Sequence, residues 1–99
     1  MSEQLNPPVL ITGSTRGIGQ AIALRFAKEG YPVILNGCHS SGKLQALKET
    51  ITEQYHVPCM AFLGDLGCFE KAQELFEQIH ATFGGIGILI NNIGISHIG

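Results

Sequence analysis

Thr12-Gly13-Ser14-Thr15-Arg16-Gly17-Ile18-Gly19 follows directly on a short apolar run, Pro8-Val9-Leu10-Ile11, and leads into a helical pattern. A glycine-rich turn between an opening strand and a helix has a specific chemistry. The first N–H groups of a helix lack internal acceptors and carry a partial positive charge, which suits a pyrophosphate. In this reading Gly13 makes the tight turn off the strand. Gly17 lets backbone approach the phosphates, and Gly19 lets the helix lie close to the sheet. Glycines serving only turn geometry are the alternative. Three of them at strand-to-helix spacing, with Ser14 and Thr15 between, favour nucleotide binding.

Working outward, two kinds of segment alternate. Pro8–Thr12, Pro32–Asn36, Cys59–Leu63 and Ile86–Asn91 are apolar nearly throughout rather than alternating. Strands read this way when both faces are covered, as in parallel sheets. Between them, Ile18, Ala21, Ile22 and Phe26 recur at helical steps before Gly30. Leu44, Leu47, Ile51 and Tyr55 form a second stripe, with Ser40 or Ser41 as N-cap. Ala72, Leu75, Phe76, Ile79 and Phe83 form a third, closed by Gly84-Gly85. Apolar helix faces at this period pack on a sheet. The order β-α-β-α-β-α-β implies an α/β fold, the N-terminal half of a Rossmann-type doubly wound parallel sheet with right-handed crossovers.

Bulk properties narrow the function. An apolar share of 44% and a charged share of 14% suit a globular core. The net charge is -2, and the six basic residues are scattered, so a nucleic-acid surface is not expected. The polar start Met1-Ser2-Glu3-Gln4 lacks a secretory pattern, and no apolar stretch has membrane-spanning length. Cys38, Cys59 and Cys68 contain no Cys-x-x-Cys and read as reduced thiols. The expected compartment is therefore the cytoplasm. His39, His56, His80 and His97 lack metal-ligand spacing, so no metal is expected.

The spacing Thr-Gly-x-x-x-Gly-x-Gly at Thr12–Gly19 resembles the signature of the short-chain dehydrogenase/reductase family. Asp65-Leu66, after the third strand, resembles the family's adenine-contacting Asp and apolar residue. Asn91-Asn92-Ile93-Gly94 resembles its Asn-Asn-Ala-Gly, and Phe83-Gly84-Gly85 is also similar. The resemblance covers essentially the whole chain and is greatest for the 3-oxoacyl-acyl-carrier-protein reductase branch, which acts in fatty acid biosynthesis. It implies a strand order of 3-2-1-4 and an oxidoreductase reducing a carbonyl to an alcohol. It also implies a homo-tetramer or dimer for the full-length form. The cofactor-binding residues it implies are Gly13, Ser14, Thr15, Arg16, Gly17, Ile18, Gly19, Cys38, Asp65, Leu66, Asn91 and Gly94.

NAD-specific sites place an acid at the end of the second strand, on the ribose 2′-hydroxyl. Here Asn36-Gly37-Cys38-His39-Ser40 has none. Arg16 offers a guanidinium suited to a 2′-phosphate, so NADP(H) is favoured over NAD(H). Cys38 stands where many relatives carry an Arg, and His39 or Ser40 could substitute. Asp65 is read as free for adenine, with Gly67 nearer the third helix as its N-cap. Asn91 and Asn92 are divided between cofactor-side and structural roles.

Two positions depart from the family pattern: Ile93 replaces a small Ala, and Gly87 stands where an Asp is usual. The family's catalytic Ser and Tyr-x-x-x-Lys fall beyond Gly99 in chains of about 250 residues, so no catalytic residue is assigned here. Neither Tyr31 nor Tyr55 belongs to a Tyr-x-x-x-Lys. The expected organisation is thus residues 1–99 as the N-terminal part of a single NAD(P)-binding Rossmann domain, truncated before the catalytic segment. The fourth strand would then be an unpaired apolar edge, favouring association. Two other readings stay open: a non-catalytic dinucleotide-binding module or inactive remnant, and a structural fragment without ligand.

Overall fold

Strands whose residues are all apolar bury both faces, and successive side chains along them point to opposite sides. The computed structural model follows from this rule. It describes residues 6–14, 17–38 and 41–92. The elements run β1 (Val9–Ile11), α1 (Gly17–Lys28), β2 (Val33–Gly37), α2 (Ser41–Tyr55), β3 (Cys59–Leu63), α3 (Phe69–Phe83) and β4 (Ile88–Ile90). The sheet order is β3-β2-β1-β4, every pair parallel, with Val9 opposite both Val33 and Ile88. Expected class and strand order are both observed.

Val9, Ile11, Val33 and Leu35 face one side and pack with Ala23 and Ala27 of α1 and with Leu44, Leu47 and Ile51 of α2. Leu10, Ile34 and Phe62 face the other side, under Leu75 and Ile79 of α3. The reversal follows from chain direction. Right-handed crossovers from β1 to β2 to β3 run one way across the sheet, and the crossover from β3 to β4 runs back.

The stripe expected on α1 is corrected. Its buried residues are Gly19, Ala23 and Ala27, while Ile18 is 71% exposed and Ala21 is exposed. Ile22 and Phe26 flank the contact and are only partly buried. The helix lies so close to the sheet that only small side chains fit along its contact line. Its end is a Schellman turn: Tyr31 N–H donates to Phe26 O and Gly30 N–H to Ala27 O, with Gly30 at φ +93°.

The α2 stripe is as expected: Leu44, Leu47 and Ile51 are buried and Tyr55 packs beside them. That helix begins at Ser41, and Ser40 lies outside the described residues. On α3, Leu75 and Ile79 are buried, but Phe76 is 45% exposed and stays out of the core. Gly84 closes α3 at φ +84°, its N–H donating to His80 O.

Among the described residues β4 is an edge strand, paired to β1 alone. Its middle residue, Leu89, lies opposite Leu10 and is 56% exposed. Among the described residues no helix is long and apolar enough to cross a membrane.

Candidate functional site

In an open parallel sheet, ligands sit outside the carboxyl ends of the strands, where the order reverses. Here that point lies between β1 and β4, since α1 and α3 depart to opposite faces. The segments meeting there are Thr12–Ser14, the start of α1, Gly37–Cys38, Gly64–Leu66 and Asn91–Asn92.

The glycine loop is compressed against the end of β4. Gly13 takes φ +64°, a left-handed conformation that favours glycine. A Cβ on Gly19 would lie 2.2 Å from the Gly13 carbonyl oxygen and 2.6 Å from Asn92 Nδ2. The first turn of α1 can reach this depth only without a side chain there. Gly17 differs: at φ +43° it has nothing within 4 Å of where its Cβ would stand, so this turn faces open space. Ile18 is exposed beside it. Among the described residues nothing stands against this turn at Gly17, and the first N–H groups of a helix have no acceptor within it.

Hydrogen bonds between distant segments hold this arrangement. Thr12, only 5% exposed, donates from Oγ1 to Asn91 Oδ1 at 3.0 Å and accepts the Asn92 N–H at 2.8 Å. Asn92 Nδ2 donates to Gly13 O at 3.3 Å. The two asparagines therefore tie β4 to the glycine loop, which is the structural role weighed for them.

Ser14 is fully buried and joins β1 to β2. Its hydroxyl donates to Ile11 O and accepts the Asn36 N–H, while its own N–H donates to Asn36 O at 2.8 Å. That hydroxyl is committed to the fold, so any part Ser14 plays at a phosphate is through the shape of the loop.

Asn36 is the residue sequence reasoning missed. It is fully buried, with Nδ2 donating to Phe62 O at 3.2 Å and Gly64 O at 3.0 Å. Its Oδ1 is buried with no hydrogen-bond partner among the described residues. Leaving such an acceptor unpaired costs about 1–3 kcal/mol. The signal available in the sequence is a lone amide closing an otherwise apolar strand.

Cys38 is half-buried, its Sγ 3.8 Å from Gly64 O. Asp65 is exposed, with one carboxylate oxygen engaged in its own turn. Its Oδ1 accepts the Gly67 N–H at 2.8 Å, and its carbonyl accepts the Cys68 N–H at 3.0 Å. An Asp two residues ahead of a free N–H makes this local turn by itself. The N-cap of α3 is Cys68, not Gly67. Leu66 packs partly buried on the Leu10, Ile34 and Phe62 cluster. Thr15, Arg16, His39, Ser40, Ile93 and Gly94 lie outside the described residues.

Gly87 has a local explanation. A Cβ there would lie 2.1 Å from Pro7 Cβ, and its N–H donates to Pro8 O at 3.0 Å. The proline leaves no room for a side chain ahead of β4.

Burial raises the Cys59 thiol from 9.0 to about 11, with Lys48 opposing weakly. That thiol lies at the start of β3, at the opposite end of the strands from the crevice.

The family model for short chain dehydrogenases matches residues 8–99. The chain belongs to the short chain dehydrogenase family. A 3-oxoacyl-[acyl-carrier-protein] reductase of Staphylococcus epidermidis is 35% identical over 92 residues, covering 93% of this chain and 37% of the relative. The corresponding reductase of Aquifex aeolicus is 41% identical over 87 residues, covering 88% and 35%. Among solved structures, L-sorbose reductase from Gluconobacter frateurii, complexed with NADPH and L-sorbose, superposes with a TM-score of 0.84 at 31% identity. That match covers 95% of this chain and 38% of the other. The chain thus spans little more than a third of the length of these short chain dehydrogenases.

Proposed function

We propose that this chain holds the nicotinamide dinucleotide of an NADP(H)-dependent short-chain reductase, as the front part of a single Rossmann domain. The observation that carries the reading is the first turn of α1, open at Gly17 and set through Gly19 close against Gly13 and Asn92. Backbone N–H groups there suit a diphosphate, and a Cβ on Gly19 would destroy the cradle. The residues thus fit the cofactor. Those proposed to surround it are Gly13, Ser14, Thr15, Arg16, Gly17, Ile18, Gly19, Cys38, Asp65, Leu66, Asn91 and Gly94. When bound, the nicotinamide supplies the hydride.

The chain's own contribution is to bind and orient. The α1 N-terminus takes the diphosphate, and Asp65 keeps its second carboxylate oxygen for the adenine side. Arg16, with no acid at Gly37 or Cys38 to oppose it, favours a 2′-phosphate. The proposed substrate is a carbonyl such as a 3-oxoacyl thioester, on the likeness to 3-oxoacyl-[acyl-carrier-protein] reductases. The family's Tyr-x-x-x-Lys does not occur in these residues, so the proton-transfer step lies outside them. A cytoplasmic setting and a dimeric or tetrameric longer form complete the proposal.

Calorimetric titration tests it. NADPH is expected to bind saturably below the millimolar range and about tenfold more tightly than NADH, or roughly 1.4 kcal/mol. Arg16→Ala should remove most of that difference. No saturable binding of either dinucleotide would overturn the reading.

A further inference from the structure

The geometry points to Asn36 as the positioning residue of the adenosine half of the cradle, an inference that rests on the dinucleotide reading above. Three segments must keep fixed spacing for one ligand to touch them all: the loop after β1, the end of β2 and the turn after β3. Asn36 belongs to the second and is bonded to the other two. Its main chain pairs in both directions with Ser14, N–H to Oγ at 3.0 Å and carbonyl to N–H at 2.8 Å. Its side-chain amide donates to Phe62 O and Gly64 O, on either side of the point where β3 becomes the Asp65 turn. Directly after it, Gly37 O accepts the Gly64 N–H at 2.9 Å, and Cys38 Sγ lies against Gly64 O.

Stability alone does not explain this side chain. Val33, Ile34 and Leu35 are fully buried on the same strand, and an apolar residue at position 36 would continue the pattern. Instead an amide is buried there with its Oδ1 unpaired among the described residues. What the amide adds is directional. Two donors on one rigid group hold the carbonyls of Phe62 and Gly64 at a set distance from Ser14. Asp65 follows Gly64 immediately, so the same bonds set where its carboxylate stands relative to the glycine loop. Asn36 itself touches no reacting group in this assignment.

The test separates positioning from stability by dividing the ligand. Affinities for adenosine 2′,5′-bisphosphate and for inorganic pyrophosphate are measured by calorimetry on the chain and on Asn36→Asp, well below each unfolding midpoint. The substitution keeps the shape but replaces the donors by an oxygen facing two carbonyls. The expected result is a loss of tenfold or more in affinity for the adenosine bisphosphate, with pyrophosphate affinity changed less than twofold. A lowered midpoint with both affinities unchanged would assign Asn36 a purely structural role and overturn the inference. An equal loss of both ligands would also overturn it. If Asn36→Asp does not fold, Asn36→Ser, which retains one short donor, is read by the same criterion. If the unsubstituted chain binds neither ligand, the dinucleotide reading itself fails, a result distinct from any produced by the variants.

Discussion

Gly19 stands so close to Gly13 that a Cβ on it would lie 2.2 Å from the Gly13 carbonyl oxygen. The colliding atom is backbone, and Asn92 Nδ2 blocks the other side at 2.6 Å. The Asn92 amide can swing aside, but the Gly13 carbonyl is main chain and cannot. Gly19→Ala should therefore destabilise the chain by about 3 kcal/mol, the upper part of the overpacking range. It should also abolish dinucleotide binding, because the first turn of α1 must withdraw from the loop. Urea denaturation and calorimetry check both effects; retained binding would show that the turn does not need this depth.

Thr12 is the pivot between the loop and β4. Thr12→Val keeps the β-branched shape but removes the acceptor of the Asn92 N–H and the donor to Asn91 Oδ1. A loss of about 1–3 kcal/mol is expected. Thr12→Ser, which keeps the hydroxyl, should lose less than half as much. The urea midpoints of the two variants decide this, and a Thr12→Ser loss as large as that of Thr12→Val would show that the methyl group matters as much as the hydroxyl.

Restoring the family's acid at Gly87 should not help. In Gly87→Asp the new Cβ would meet Pro7 Cβ at 2.1 Å, so Pro7 and the segment leading into β1 must move. A cost of about 1–3 kcal/mol is expected. Combining it with Pro7→Gly should recover at least half of that loss, a coupling measurable in a double-mutant cycle.

Cys59 gives a pH dependence of known sign. Its pKa is about 11 in the fold against 9.0 ordinarily, so the folded chain holds the proton more tightly than the unfolded one. The stabilisation is complete below pH 9 and is lost as pH rises through about 11. Urea midpoints should fall across that window, and Cys59→Ala should flatten this part of the slope. At pH 8 Cys59 should also react with iodoacetamide more slowly than Cys38 or Cys68, as peptide mapping would show.

Leu89 marks the bare edge of the sheet. It is 56% exposed on a strand that, among the described residues, is paired on one side only. The chain is expected to self-associate, and Leu89→Lys should weaken that association by about tenfold, or roughly 1.4 kcal/mol. Sedimentation velocity at several concentrations would show it. A monomer at every concentration would mean the edge is protected.

Much of the fold was legible because it depends on local patterns. The nearly unbroken apolar runs at Val9–Ile11 and Val33–Gly37 mark strands buried throughout, Cys59–Leu63 marks a strand only partly covered, and Leu44, Leu47 and Ile51 carry the period of a helix. On α1 the large apolar residues do not mark the buried side. There the closeness of helix and sheet selects Gly19, Ala23 and Ala27 instead. The turn bond of Asp65 is not legible in the sequence, because its partner, the Gly67 N–H, becomes available only when the turn into α3 forms.

By itself, the sequence determined the element order, the parallel sheet and the position of the glycine turn. These follow from the period of apolar residues and the conformational freedom of glycine, which act over a few neighbours. Only the tertiary structure decided how that turn is held. The bonds from Thr12 to Asn91 and Asn92, and from Asn36 to Ser14, Phe62 and Gly64, join residues 22 to 80 positions apart. Which distant polar groups meet depends on the register of the strands and the depth at which α1 packs, and no local pattern carries that information.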